Sequence, residues 1–379
     1  MGNIPATNCC KCLHKTDQID LRTNSTNLFV IEQISVRKIQ STFRGFIFRK
    51  IYLPLLKADY LKLIKIDMNK IPGELLDINY EPPTPCRKIR ELQKLLTPFS
   101  LTEKERYMLK ISNLHKNVVK YRDSSIYTGL FNKDWQKEGY GILYMPDNSI
   151  YEGFFKANIM EGRGRVLNSE GIIYDGEFVN NKANGFGKYL SLDGLTYEGN
   201  WKDEKQHGHG EETFPDGSRY EGDYIMGKKN GKGKFSWPNG VLYEGDLFNN
   251  DFHGFGMYKW KDGRVFRGQW QYNKMHGNGV FEWPDKKKYI GTYKNDIKDG
   301  FGCFLWPDGR KYEGFWANGK QHGMGCFVHP LEGVTYGEWN KGTKLETFEP
   351  HEEKFNQCKN IIQLKYEEIK HLFYEKIDF

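Results

Sequence analysis

The chain has 379 residues, a formal net charge of +7, a mean hydropathy of −0.72, 15% aromatic residues and 41 glycines. No run of 18 apolar residues is present, which excludes an ordinary membrane-spanning helix, and the first residues lack the apolar centre of a secretory signal. The charge is too modest to mark a nucleic-acid binder, and seven cysteines without a paired framework fit a reducing compartment, so the chain is expected to face the cytosol.

Residues 1–28 read as a disordered tail that carries an address. Gly2 in second place resembles an N-myristoylation start, and Cys9, Cys10 and Cys12 suit palmitoylation. The pattern wants Ser or Thr at the sixth residue, whereas Ala6 stands there and Thr7 comes one place later. A single myristoyl chain binds a bilayer only marginally, on the order of 10⁴ M⁻¹, so firm attachment requires the cysteines as a second signal. The other reading is a tail with no lipid at all. Cys9, Cys10, Cys12 and His14 are packed too closely for the paired arms of a zinc site.

Residues 29–52 carry apolar side chains at Val30, Ile34, Ile39, Phe43, Ile47 and Ile51, steps of three to five that predict a helix ended by Pro54. Within it, Ile39, Gln40, Arg44, Gly45, Arg49 and Tyr52 resemble the IQ motif, the binding element for calmodulin and light chains. The resemblance implies a calmodulin-like or centrin-like EF-hand partner. Its lobe would take the apolar anchors while Arg37, Lys38, Arg44, Arg49 and Lys50 meet its acidic surface. Gly45 costs about 1 kcal/mol against alanine inside a helix, and the close approach of a partner accounts for it. The alternative is a helix that caps the end of the region that follows.

Residues 53–126 form a helical connector. An apolar run from Leu55 to Ile66 breaks at Ile71-Pro72-Gly73, and Pro82, Pro83 and Pro85 mark an extended linker. Thr84-Pro85 predicts the start of a helix through Leu96, and a second is expected from Thr102 toward Leu114. Ile89, Leu92, Leu96, Met108 and Ile111 are assigned to a buried stripe against what comes next. No catalytic constellation is present.

From residue 127 to 344 one pattern returns. Aromatic residues at Tyr127, Tyr151, Tyr174, Tyr197, Tyr220, Tyr243, Phe266, Tyr289 and Tyr312 open copies 23 residues apart, except for a first step of 24, and a broken tenth copy follows at Tyr336 after another 24. Each copy reads aromatic-x-Gly-x-bulky, as at Tyr197 to Trp201, which is strand alternation. Paired glycines such as Gly208 and Gly210 then predict a second strand with one face stripped, open to an aromatic ring from its neighbour. Pro215-Asp216-Gly217 and Pro307-Asp308-Gly309 are turns. Each unit is therefore a β-hairpin.

These residues resemble the MORN repeat, whose pattern is Y-x-G-x-W/F followed by G-x-G and D-G. The resemblance implies a mainly β fold: an elongated single-layer antiparallel sheet of stacked hairpins, nine and a partial tenth, with a helical N-terminal region and a C-terminal helix. At two strands per unit, nine units span roughly 85 Å. Several departures stand out. The first copy has an extra residue before Gly139, the ninth one between Cys326 and Gly333, Phe266 replaces the opening tyrosine, Lys286 replaces a turn glycine, and the last fragment lacks a residue.

Four histidines, His207, His253, His276 and His322, recur at one position. Units about 10 Å apart cannot share a metal, so they read as turn residues. The glycines match no phosphate loop, and no cofactor is expected. Lys228, Lys229, Lys232 and Lys234, with Lys286, Lys287 and Lys288, are candidates for anionic-lipid contact, against a solvated-turn reading. Trp237, Trp260, Trp283 and Trp306 form a ladder that serves either a protein partner or the array itself. Residues 351–379 predict an amphipathic helix through Ile362, Tyr366, Ile369, Phe373 and Ile377, expected to cap the edge of the last hairpin or to dimerise.

Three functions compete. The first is a non-catalytic, membrane-attached scaffold that recruits an EF-hand protein and other proteins along the array. The second is a cytoskeletal or axonemal component, as the resemblance to radial spoke head MORN proteins implies. The third is a non-catalytic partner in phosphoinositide signalling, because MORN arrays precede some lipid kinases; no kinase domain follows here.

Overall fold

The computed structural model describes residues 83–373. The candidate acylation residues, the IQ-like segment and Ile377 lie outside the described residues.

Among the described residues, 21 strands form one antiparallel sheet. Each strand pairs with its neighbours in sequence, from His115–Lys120 against Ile126–Phe131 to Gly333–Asn340 against Thr343–Phe348. The sheet is thus an open up-and-down meander that begins one strand before Tyr127 and ends one strand after Trp339.

Two kinds of turn alternate. In the fourth hairpin, Thr196–Lys202 meets Lys205–Thr213 through Asp203 and Glu204, at φ +48° and +65°. Two left-handed residues in a two-residue loop make the type I′ turn that matches strand twist. Other copies place Asn180-Asn181, Asn249-Asn250 or Asn295-Asp296 there, residues that tolerate this backbone. The Pro-x-Gly turns join one hairpin to the next: the Trp237 amide donates to the Val241 carbonyl at 3.0 Å and the Gly240 amide to the Trp237 carbonyl at 2.9 Å. Lys286 holds the left-handed place of the missing glycine at φ +66°. In a meander, all tight tips fall on one long edge and all Pro-x-Gly turns on the other.

Register explains the irregular end. Thr335 pairs with Phe327, Tyr336 with Cys326 and Trp339 with Gly323. In the preceding hairpin, Tyr312 pairs with Phe304 and Trp316 with Gly300. Thr335 therefore occupies the opening aromatic place, 23 residues after Tyr312, and Trp339 the fifth place. No residue is inserted after Cys326 and none is missing from the last copy. Tyr336 is one place along the strand, and one place turns a side chain to the other face. There it packs against Phe355, with ring centroids 4.9 Å apart.

That second face is covered at both ends. Helix α1, Arg87–Lys94, buries Ile89 and Leu92 against Ile150, Leu167 and Ile173. It starts two residues later than the Thr84 cap predicts, with Cys86 as N-cap. Helix α2, Glu103–Ile111, follows Thr102 with the reciprocal capping box to Glu105. Met108 and Ile111 are exposed, contrary to the stripe assigned to them. At the far end, helix α3, Glu353–Ile369, lays Cys358, Ile362 and Ile369 onto Val280, Ile290, Phe301, Cys303 and Cys326. It covers a face of the sheet. The edge strand Thr343–Phe348, which the helix was expected to cap, is exposed along most of its length.

Candidate functional site: the aromatic core and edges of the array

The opening tyrosine of each copy lies across two glycines of its own hairpin. Gly199 and Gly210 pair across the strands. A Cβ on Gly199 would come 2.6 Å from Tyr197 Oη. The ring fills the space that two side chains would occupy, and its hydroxyl donates to the carbonyl three residues on: Tyr197 to Asn200 at 2.9 Å, Tyr220 to Asp223 at 3.1 Å and Tyr289 to Thr292 at 3.1 Å. Only the second glycine of each Gly-x-Gly pair serves this cradle. The first, such as Gly208 at φ +69° or Gly231 at +76°, supplies a left-handed backbone where the register shifts.

These rings form a file along the array. Tyr197 meets Trp201 edge-on at 5.1 Å and the next copy's Tyr224 at 5.3 Å; Tyr220 repeats the contact with Tyr224, also at 5.3 Å. Such pairs add about 0.5–1.5 kcal/mol each beyond area burial. Leu247 interrupts the file, and Phe252 stacks flat on Tyr243 at 3.6 Å in its place. Phe266 keeps the ring contacts without a hydroxyl, at 5.3 Å to both Trp270 and Tyr293. Tyr197→Phe should therefore fold normally and lose about 1 kcal/mol, the net worth of one hydrogen bond, in urea denaturation.

The tips latch successive hairpins. Asn158, Asn181, Asn250 and Asn273 each accept, through the side-chain oxygen, the amide hydrogen of the residue 21 places earlier, at 2.7–2.8 Å. The recurring histidine position caps the next tip: His207 Nδ1 accepts from the Met226 amide at 3.4 Å, as Glu161 does from Asn180 at 3.1 Å. His207 was expected in a turn; it stands in the strand Lys205–Thr213 and reaches the next tip from there. The asparagine latch was legible only as turn composition, because the sequence does not say which carbonyl or amide a turn side chain reaches.

The tryptophan ladder is in ring contact with the core. Trp237 reaches Tyr258 at 6.3 Å, Trp260 reaches Phe281 at 5.2 Å, Trp283 reaches Phe304 at 5.6 Å and Trp306 reaches Phe327 at 6.0 Å. Each is half-buried. The ladder thus belongs to the spine of the array along its Pro-x-Gly margin.

Lysines inside the core were not foreseen. Nine residues after the opening aromatic, four copies carry Met160, Ala183, Phe252 and Met275, side chains that point into the ring file, and two carry Gln206 and Gln321, but Lys229 and Lys298 occupy the same place and Lys137 its equivalent in the longer first copy. Lys229 is ion-paired with Glu212, which also accepts from Tyr224 Oη at 3.1 Å. Burial lowers the pKa of Lys229 and the Glu212 carboxylate opposes the shift. Lys137 lies 4.4 Å from the Tyr121 ring; burial brings its pKa down to about 8, with Asp123 opposing. Lys298 lies within 5.0 Å of the ring centroids of Trp283, Tyr289, Phe304 and Trp316, and burial alone lowers it to about 7. Comparing one position across copies would have exposed all three.

The lysines proposed to touch lipid are scattered. Lys229 is 1% exposed and cannot offer its ammonium to a surface, which corrects that assignment. Lys232 pairs with Asp246, Lys287 with Asp285 and Lys288 with Glu282. Lys228 reaches Asn249 at 3.3 Å on the tip edge, Lys234 is exposed on the second face, and Lys286 sits in a Pro-x-Lys turn on the opposite edge. The fold does not gather them into one patch.

The MORN repeat family model matches eight segments: residues 151–167, 174–196, 197–219, 220–241, 243–263, 266–288, 289–309 and 312–330. Among solved structures, the chain is similar to the TCP domain of SAS-4 (dCPAP) of Drosophila melanogaster, solved in complex with a proline rich motif of Ana2 (dSTIL), at 14% identity over 52% of this chain and 97% of that one, with a TM-score of 0.27. It is also similar to a mutant TCP10 domain of Danio rerio CPAP at 12% identity over 61% and 98% of the two chains, with a TM-score of 0.25. Likeness at that level transfers neither fold nor function. No curated protein matches the chain. The hairpins opened by Tyr127 and Thr335 extend the matched array by one unit on either side. Between residues 151 and 330 the chain thus matches the MORN repeat eight times.

Proposed function

We propose that the chain is a non-catalytic scaffold whose MORN array is held at the cytoplasmic face of a membrane by acylation at Gly2 with Cys9, Cys10 and Cys12, and which takes up a calmodulin-like EF-hand protein on Ile39 to Tyr52. The observation that supports a scaffold is the use of the repeated residues: the tyrosines, paired glycines, asparagines and tryptophans are engaged in cradle, ring file and latch. The repeated positions hold the array together, and specificity falls to residues that vary between copies and to the segments beyond the sheet. The membrane and EF-hand roles rest on the sequence of residues 1–52.

Alkyne fatty-acid labelling of the wild type beside Gly2→Ala tests the attachment. Label and membrane recovery should both be lost in the variant, and equal recovery would overturn it. Retention with axonemes or cortex after mild detergent would replace the anchor with a cytoskeletal placement. Calmodulin recovery, with and without calcium, should fall at least about tenfold, or roughly 1.4 kcal/mol, in Ile39→Ala/Gln40→Ala; unchanged recovery would remove the EF-hand partner.

A further inference from the structure

The edge formed by the tight tips is uneven. Most tips are polar, but three consecutive ones expose large apolar side chains: Ile225 and Met226, then Phe248, then Tyr272, at 56%, 37%, 49% and 56% exposure. His253 bridges the last two, with its ring 5.7 Å from Phe248 and 5.2 Å from Tyr272. Here the latch changes character. His207 accepts from the next tip's amide, whereas His253 Nδ1 is buried with no hydrogen-bond partner and the ring is given over to the two aromatics. An apolar row across three neighbouring hairpins, in an array whose other tips are mostly polar and expose a large apolar side chain only singly, at Val179, marks a surface that something covers.

We propose that this row seats an amphipathic helix of a protein partner, with an apolar residue at every seventh position and acidic residues on its flanks. Spacing and charge carry the choice. Consecutive tips are two strands, about 10 Å, apart. Seven residues of α-helix rise about 10.5 Å, so one helix lying along the edge presents a side chain of the same face to each of three tips. Lys228 and Lys294 are exposed and Lys274 is half-exposed beside the row, and they face the acidic flanks. A bilayer fits less well. Asp203 and Glu204 form the adjoining tip, Asp251 stands beside Phe248, and a continuous anionic surface would meet these carboxylates together with the lysines.

The test uses the full chain and a synthetic helix of about 18 residues, with leucine at every seventh position and glutamate on both flanks, beside a peptide of the same composition with its leucines spread around the helix. The ordered peptide should bind the wild type and lose at least about tenfold in affinity for Phe248→Ser/Tyr272→Ser, whose melting temperature should be unchanged because both side chains are exposed. Ile225→Ser is read the same way if the double variant fails to fold. Equal affinity for wild type and variants, or equal binding of the two peptides, overturns the proposal. So does binding of phosphatidylserine vesicles that displaces the peptide and is itself lost in the same variants, which would assign the row to a membrane.

Discussion

Gly233→Ala is expected to lower the stability of the array by about 3 kcal/mol, near the upper end for forcing one methyl group into a packed core. The added Cβ would lie 2.6 Å from both Tyr220 Cε2 and Oη and 2.8 Å from Leu247 Cδ1. All three atoms are held. Tyr220 is fully buried, its hydroxyl is tied to the Asp223 carbonyl, and its ring abuts Tyr224 and Phe235. The ring must leave the cradle to admit the methyl group, and it then loses those contacts together. Gly240→Ala provides the contrast: nothing lies within 4 Å of its Cβ, and only the left-handed backbone at φ +85° opposes the change, at about 1–2 kcal/mol. Chemical denaturation should separate the two variants. Because repeats contact only their neighbours, hydrogen exchange in Gly233→Ala should show protection lost around residues 220–247 and kept in the terminal hairpins. Equal losses in the two glycine variants would mean that backbone freedom, and not the ring cradle, decides the position.

Lys298→Met is expected to act in the opposite direction and stabilise the array by about 1–4 kcal/mol at pH 7, the range seen when buried ionic groups give way to apolar ones. Met275 holds the same position one copy earlier and is buried among the same kind of rings, so methionine fits without rearrangement. The lysine's folded-state pKa of about 7 is depressed below its ordinary 10.5. Between those values the unfolded chain holds more protons than the folded one, so the lysine makes stability rise with pH through this window. Below about pH 7 both states carry the proton and the penalty is constant. The wild type should therefore gain about 2 kcal/mol on the variant between pH 7 and 9. Taking the difference between the two proteins cancels Lys137 and Lys229, which titrate in both. The four ring faces favour the cation and reduce the effect, by about 0.5–2 kcal/mol. A variant with the pH slope of the wild type would show that the ammonium stays charged and stabilised in its cage. Lys229→Met should differ in sign, because removing that lysine leaves Glu212 buried without its counter-charge.

The sequence by itself determined the unit and its period. A 23-residue period with aromatic-x-Gly-x-aromatic alternation, a stripped Gly-x-Gly face and Pro-x-Gly turns allows few solutions besides a hairpin meander, because each signal is a local steric requirement that needs no distant contact to be read. It also placed three helices beside the sheet. What needed the tertiary structure was every question of register, face and partner. A spacing of 24 looked like an insertion at Tyr336; pairing showed an unbroken period and a tyrosine turned toward helix α3, since one residue along a strand exchanges faces. Apolar periodicity found helix α3, but not that it lies on the sheet's face. Composition made Lys229 one of a basic run; only the pairing, which sets Tyr224 opposite it in its own hairpin and brings Glu212 from the neighbouring one, shows a core residue. The apolar tips follow the same rule. Ile225, Phe248 and Tyr272 are unremarkable one at a time and become a surface when stacking sets them about 10 Å apart on one edge.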